Sequence, residues 1–312
     1  MQWKQIKTLF ILCFLILDIY LLLMLLDKQN DAEFAMPDTS SSTFEEQLEA
    51  EDITINADLP SGNVSASYLR LNQKTFTDEE LAFFENKDNQ QAEVINENFI
   101  LSRFENPVSI PESADSDLIN ELVKSNIPLS DNYRFGSWNE EMNVLMFFQQ
   151  KNGLPIYYNQ NGIVLVYLND DNEMLFYTQT MLGDDESPDE EQSLIEPRTA
   201  IRALFDGNRL ENGDEITGIN MGLHTRKNPL QSGKQPLSPT WTVTVNDEEN
   251  FHVNALENEI VSSNEQTFLL GAVTFTIEKI QTLNDDNEIK GNVLSHLNEI
   301  LTANQQSESE IE

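Results

Sequence analysis

Histidine is the residue type in this chain that is best suited to metal or acid–base chemistry, and its three copies are His224, His252 and His296. They are widely separated in the sequence, and no HExxH or CxxC motif accompanies them. Structural and catalytic zinc sites draw on such closely spaced nitrogen and sulfur ligands. The pattern therefore argues against a metal centre and predicts no cofactor. We expect His252 to be a surface or half-buried residue of a strand.

Carboxylates are the second candidate for chemistry, since the chain holds 54 acidic residues among 312. Glycoside hydrolysis needs two acids that face one sugar bond, but at this density any fold places many acids near one another. The acidic runs at residues 184–191 and 285–288 lack the glycine and ligand spacing of an EF-hand. No GxSxG, SxxK or glycine-rich phosphate loop is present. The sequence therefore predicts no catalytic residue, and we interpret the acidic runs as solvated loops.

An acidic residue in an apolar run is the most informative single position. Residues 9–26 are apolar except for Asp18, and a helix of that length is about 27 Å long, close to the thickness of a bilayer core. An Asp at the centre of such a helix costs about 2.5–3.5 kcal/mol on insertion scales and usually faces protein or water. On a helix, Asp18 shares a face with Phe14, Leu15, Leu21 and Leu22. We interpret this face as a contact with a partner's transmembrane helix; a protonated Asp tolerated in a single span is the alternative.

The flanks of this run favour a retained anchor over a cleaved signal. A signal peptide ends in small residues at a cleavage site, whereas residues 27–31 are polar and charged. Lys4 and Lys7 precede the run, and positive charge stays on the cytoplasmic side. The sequence predicts a cytoplasmic segment at residues 1–8, a transmembrane helix at 9–26 and an extracytoplasmic remainder at the cell membrane.

Net charge limits the partners of that remainder. The chain carries a formal charge of -36, and a domain of this sign is repelled by nucleic acid, so DNA or RNA binding is excluded. The one cysteine, Cys13, lies in the apolar run, so no intramolecular disulfide is expected. Polar composition predicts a spacer at residues 27–52 and a disordered acidic tail at 302–312.

Between spacer and tail, the pattern predicts an α+β fold with two lobes, at residues 53–131 and 132–301. In the first lobe, Thr77 with Glu80 marks one helix start, and Asp115 or Ser116 marks another. In the second, short apolar runs alternate with Asn, Asp and Gly turns, which is typical of antiparallel sheets. Its strands are predicted at residues 143–150, 154–158, 162–168, 173–182, 215–224, 240–246, 251–255 and 267–280, and its helices at 197–205 and 289–301.

Several stretches resemble one family. Residues 1–11, reading MQWKQIKTLFI, and the late Asp of the apolar run resemble the start of the YycI proteins. The sequence differs from the family pattern at Asn258, where the family is expected to have a glycine. Three later stretches are also similar to the family, at residues 200–216, 239–243 and 251–255.

The resemblance implies an accessory protein of the essential cell-wall two-component system of Gram-positive bacteria. Such proteins are single-pass regulators that pair with the related YycH protein and modulate a sensor histidine kinase, called WalK or YycG. The family implies no enzyme activity and an ectodomain of two similar α+β lobes. An anchored cell-wall enzyme that uses carboxylates and an independent ligand sensor are the alternatives. An enzyme requires a deep cleft with paired, pKa-shifted acids, whereas an interaction protein requires a shallow apolar patch.

Overall fold

A computed structural model describes residues 14–15, 17, 43–62, 64–111, 113–184, 190–225 and 234–311, with side chains described up to residue 304. The chain divides into two compact units, residues 1–51 and 52–312. In the first unit Phe14, Leu15 and Leu17 are helical and exposed, whereas Asp18, Leu21 and Leu22 lie outside the described residues. The predicted membrane helix at 9–26 therefore lies largely outside them too. In the part of the chain that is described, no helix combines the length and apolarity needed to cross a bilayer.

In the described part of the predicted spacer, at residues 43–52, lies helix α1 (Phe44–Ala50). Thr43 caps it: its hydroxyl accepts a hydrogen bond from the backbone N–H of Glu46, and the Glu46 carboxylate accepts one from the N–H of Thr43 at 2.8 Å. This reciprocal capping box satisfies two of the amide donors that a helix start leaves open. The helix is thus specified locally by its own sequence.

The second unit is a mixed α+β structure, as predicted. Its helices are α2 (Asp78–Leu81), α3 (Ser116–Lys124), α4 (Pro197–Asp206), α5 (Glu265–Gln281) and α6 (Lys290–Ile311). Its strands are β1 (Thr54–Ile55), β2 (Ser65–Ala66), β3 (Leu69–Leu71), β4 (Gln90–Ile95), β5 (Phe99–Ser109), β6 (Tyr133–Asn139), β7 (Val144–Lys151), β8 (Leu154–Tyr157), β9 (Ile163–Leu168), β10 (Glu173–Gln179), β11 (Gln192–Ser193), β12 (Glu215–Thr225), β13 (Gln235–Val245), β14 (Glu249–Asn254) and β15 (Ile260–Val261).

Thirteen of these strands form one sheet, in the order β15-β14-β13-β12-β8-β7-β9-β10-β5-β4, with β1, β3 and β6 paired beside this path. Most neighbours are antiparallel, as the turn chemistry predicts, but β12 pairs in parallel with both β1 and β8. Strand β8 leaves a tight hairpin with β7 and continues onto β12. It therefore joins the two halves of the sheet.

Both faces of the half that contains β7 and β9 are buried, which explains their unbroken apolar runs. Alternate residues of β7, Val144 and Met146, point toward α5 and α6, whereas Leu145 and Phe147 belong to the core on the α3 side. In the other half, α4 contacts β13 and β14. Trp241 of β13 is buried, and its indole Nε1–H donates to the carbonyl of Ile195 at 2.9 Å.

Three predictions about this unit are wrong. Residues 267–280 form part of helix α5 instead of a strand. The run is rich in β-branched residues, and this composition favours the predicted strand. Asn264 caps the helix, and its many apolar side chains allow it to be buried between the sheet and α6. The tail predicted as disordered continues α6 to Ile311. The division between lobes at residue 131 does not divide the sheet, because β5 pairs directly with β10.

Candidate functional site

The structure brings together two of the three histidines that are far apart in the sequence. His224 of β12 and His252 of β14 lie on either side of β13, and their ring centroids are 4.2 Å apart. Tyr157 of β8 stacks on His224, with centroids 5.5 Å apart, and also contacts His252 at 5.4 Å. We call Tyr157, Tyr158, His224 and His252 the aromatic cluster.

Both histidines of the cluster are buried, and this determines their protonation. Burial holds the pKa of His224 well below its ordinary value, with a further lowering from the neighbouring His252. Burial also lowers the pKa of His252 to about 4. His252 Nδ1 lies 3.1 Å from the hydroxyl oxygen of Thr242, whereas the Nε2 atoms of both rings have no hydrogen-bond partner among the residues that the structure describes. Both imidazoles are therefore neutral at physiological pH, and the third histidine, His296, contacts Tyr167 and Phe176 elsewhere in the core.

Glycine allows the strands to approach these rings. A Cβ placed on Gly222 of β12 would collide with the ring of Tyr157 and lie 3.2 Å from the carbonyl oxygen of Pro155. A Cβ on Gly136 of β6 would collide with the ring of Phe148. Phe148 in turn contacts Tyr157 edge to face at 5.1 Å. Because these two positions lack side chains, the rings of Tyr157 and Phe148 can pack directly against the backbone of β12 and β6.

Above these rings is an open cavity of about 470 Å³, within the usual range of about 300–1,000 Å³ for small-molecule sites. Strands β6, β8, β12, β13 and β14 and the first residue of α5 surround it. Its walls combine aromatic and apolar side chains with amides, hydroxyls and two charged groups. The lining residues are Arg134, Phe135, Gly136, Ser137, Phe148, Gly153, Leu154, Pro155, Tyr157, Tyr158, Asn220, Met221, Thr242, Asn250, His252 and Glu265.

The two charged groups, Arg134 and Glu265, differ in how they are held. Glu265 accepts hydrogen bonds at 3.0 Å from Ser137 Oγ and at 3.0 Å from Asn139 Nδ2, both on β6. Arg134 is exposed, and its guanidinium forms no ion pair within the part of the chain that the structure describes. Each charge acts on a different tyrosine: burial raises the pKa of Tyr158, and Glu265 raises it further, whereas Arg134 opposes the burial-driven rise at Tyr157.

Carboxylates elsewhere have the electrostatics of surface groups. The pKa values of Glu173, Asp184 and Asp285 are lowered by hydrogen bonds, first from Asn169, Lys151 and Lys290 respectively. A general acid needs the opposite shift. Of the acidic run at 184–191, residues 185–189 lie outside the described residues. Among the residues that are described, no three His, Cys, Asp or Glu side chains are grouped so as to hold a metal ion.

Sequence reasoning therefore missed the cavity and the aromatic cluster. His252 is buried, not at the surface or half-buried as predicted, because β14 lies inside the sheet between β13 and β15. One signal was present: the predicted strands at 240–246 and 251–255 form a hairpin, and its register places Thr242 opposite His252. The position of His224 depends on the register of β12 against β13, which no short motif encodes.

Comparison with solved structures gives distant likenesses, among them an uncharacterized protein and a YycH protein. An uncharacterized protein from Eubacterium rectale aligns with a TM-score of 0.42 and 10% sequence identity, covering 72% of this chain and 99% of that chain. YycH from Bacillus subtilis aligns with a TM-score of 0.39 and 13% identity, over 64% of this chain and about half of YycH, 54%. The comparison with curated proteins finds no match.

Comparison with protein families gives a match over most of the chain. The family described as YycI protein matches residues 35–256, a range that begins after the predicted membrane helix and ends before α5. The match includes β6, β8, β12, β13 and β14, which surround the cavity, and it does not depend on the N-terminal stretch in which the sequence resemblance was most specific. This chain belongs to the YycI family.

Proposed function

We propose that this protein is a membrane-anchored accessory regulator of a cell-wall sensor histidine kinase of the WalK (YycG) type, and that it acts together with a YycH-like partner. The observation that carries the proposal is the family match over residues 35–256. The apolar run at residues 9–26 supports an anchored arrangement with the N-terminus in the cytoplasm and the larger unit outside.

Regulation of this kind is a shift between two kinase states. An accessory protein changes their populations only if it binds one state more tightly than the other. A tenfold difference in affinity corresponds to about 1.4 kcal/mol, and moving the ratio from 1:99 to 99:1 requires a difference of about 10⁴-fold. We propose that the anchor packs beside the kinase helices and that the unit at residues 52–312 pairs with a partner ectodomain to hold that arrangement.

Asp18 is the residue that we assign to the contact within the membrane. A side-chain hydrogen bond between helices in lipid contributes about 0.6–2 kcal/mol, and the neighbouring positions on the same helical face are Phe14, Leu15, Leu21 and Leu22. Asp18→Leu removes the hydrogen bond and makes insertion easier. It should therefore leave the protein in the membrane and weaken its association with a partner.

Co-purification of the full-length protein in mild detergent, followed by mass spectrometry of the bound proteins, tests the proposal. We expect a sensor kinase and a second single-pass protein to co-purify with the wild type and to be depleted with Asp18→Leu. Asp18→Asn keeps the hydrogen-bonding capacity without the charge and should retain both. The matched control is Ile16→Ala, on the opposite side of the predicted helix at roughly 160° from Asp18, which should also retain both.

The outcomes separate the parts of the proposal. Equal recovery with wild type and Asp18→Leu would keep the regulatory role and move the contact from Asp18 to the larger unit. Recovery of neither a kinase nor a second single-pass protein would refute the kinase connection.

A further inference from the structure

We propose that the cavity beside the aromatic cluster binds a short peptide with free termini, in which Arg134 receives the carboxylate and Glu265 the ammonium group. The inference does not rest on the kinase connection, because it concerns binding by this chain alone. It starts from the cavity of about 470 Å³, which is of the size that drug-sized ligands occupy.

The two charged groups of the cavity, Arg134 and Glu265, do not pair with each other. Acidic residues outnumber basic ones by 54 to 18, so a basic side chain in this protein has many potential partners. Arg134 nevertheless forms no ion pair among the described residues, with Glu265 or with any other acid, although both line the same cavity. A guanidinium is well suited to binding a carboxylate through two parallel hydrogen bonds. The cavity thus presents one cationic and one anionic group that remain available to a ligand.

Glu265 is held in position before any ligand binds. The hydroxyl of Ser137 and the amide of Asn139 each donate to one of its oxygens at 3.0 Å. A carboxylate oxygen has a second lone pair, so both oxygens can still accept a hydrogen bond from an ammonium group. Fixing the acceptor in advance reduces the entropy that binding would otherwise lose.

The protein's charge and the cavity walls both limit the kind of ligand. The overall charge of -36 disfavours a purely anionic ligand, whereas a peptide with free termini and uncharged side chains has no net charge. The rings of Tyr157 and Tyr158 line the same cavity as the two charged groups, and their centroids are 6.3 Å apart. Such walls accommodate an apolar side chain. The lining therefore offers partners for a ligand that combines two charged ends with an apolar side chain.

Isothermal titration calorimetry with the full-length protein in detergent micelles tests this proposal, with the tripeptide Ala-Phe-Ala as the probe. We expect saturable binding at one site. The same peptide with an acetyl group and an amide at its ends should bind at least about tenfold more weakly, because a charge-assisted pair is worth about 1.5–3 kcal/mol. Arg134→Gln and Glu265→Gln should each have a similar effect on the uncapped peptide.

Arg209→Gln is the matched control, since it removes the same charge from an exposed arginine outside the cavity lining, and it should bind within about twofold of wild type. Urea unfolding of each variant checks the fold. Glu265→Gln also alters the two hydrogen bonds that hold this side chain, and unfolding measures any loss of stability. In that case the test is made with Arg134→Gln, because the Arg134 side chain is exposed and its replacement should not destabilise the fold.

Three results would overturn the proposal. One is the absence of saturable binding of Ala-Phe-Ala at millimolar concentration. Another is equal affinity for the capped and uncapped peptides, or for Arg134→Gln and wild type. The third is binding of the uncharged sugar chitotriose in place of the peptide, since that would assign the cavity to a different class of ligand.

Discussion

Acidification should destabilise this protein through the buried pair His224 and His252. The pKa of His252 is about 4 in the folded protein, against an ordinary value of 6.5. Between these two values the unfolded chain binds a proton that the folded protein does not, so the free energy of unfolding falls as the pH falls. Above about pH 6.5 both states are neutral and the dependence disappears; below about pH 4 it levels off.

The magnitude follows from these two pKa values. Lowering the pH from 7.5 to 5.0 should reduce the free energy of unfolding by about 2 kcal/mol through His252 alone. The lowered pKa of His224 adds to this in the same direction. With a urea dependence of about 2–3 kcal/mol/M, the midpoint should fall by about 0.7–1 M. Urea unfolding followed by tryptophan fluorescence measures this directly.

A variant that lacks the imidazole of His252 separates its contribution to the pH dependence of stability from the contributions of the many carboxylates. His252→Gln should be less stable than wild type at pH 7.5 but should lose about 2 kcal/mol less between pH 7.5 and 5.0. His296→Gln is the control: it lies outside the cluster, and although burial lowers its pKa, Glu299 and Asp170 oppose that shift. Parallel pH dependences for wild type and His252→Gln would refute the assignment of a depressed pKa to this buried ring.

Other substitutions test the packing. Gly222→Ala should lower the free energy of unfolding by about 1–3 kcal/mol, because the added methyl group would collide with the ring of Tyr157. Gly291→Ala in α6 has open space around it and should be neutral or stabilise by up to about 1 kcal/mol. Equal effects of the two substitutions in thermal unfolding would contradict this reasoning. Tyr133→Phe should cost about 1–3 kcal/mol in urea, since its buried hydroxyl donates to the carbonyl of Thr180 at 2.6 Å; an unchanged midpoint would refute it. Asn264→Ala should cost about 1 kcal/mol by removing the cap of α5, and a loss below about 0.3 kcal/mol in urea would show that tertiary packing alone holds this helix end.

Local chemistry explains which elements were predictable. The capped helix start at Thr77 is where the sequence places it, and of the two candidates Asp115 and Ser116 the structure uses Asp115. These starts are predictable because capping is decided by residues three positions apart. The hairpin between β7 and β8 is equally local: Asn152 and Gly153 adopt the left-handed backbone that its two-residue turn requires. These features need no knowledge of the rest of the chain.

Features that depend on distant partners were not predictable in this way. Residues 267–280 have the β-branched composition of a strand, and burial against the sheet and α6 overrides it. The cavity is harder still to predict from the sequence, because Arg134 and Glu265 are 131 positions apart in the sequence and line one cavity only through the packing of α5 on the sheet. Two predictions, the contact at Asp18 and the membrane location, are not tested by the residues that the structure describes.

The pairing of β1 and β3 has a consequence for the order in which the protein folds. Thr54 pairs with Glu215, and Leu69 pairs with Leu237. The partners in these pairs are 161 and 168 positions apart, which is about half of the chain length. By contrast, the strands from β4 to β10 pair among themselves within residues 90–179, apart from the additional pairing of β8 with β12. Contacts between distant residues form slowly because a long loop must close first. During synthesis the middle of the chain can therefore assemble early, while residues 54–71 wait for β12 and β13 and stay open to chaperones and proteases until those strands arrive.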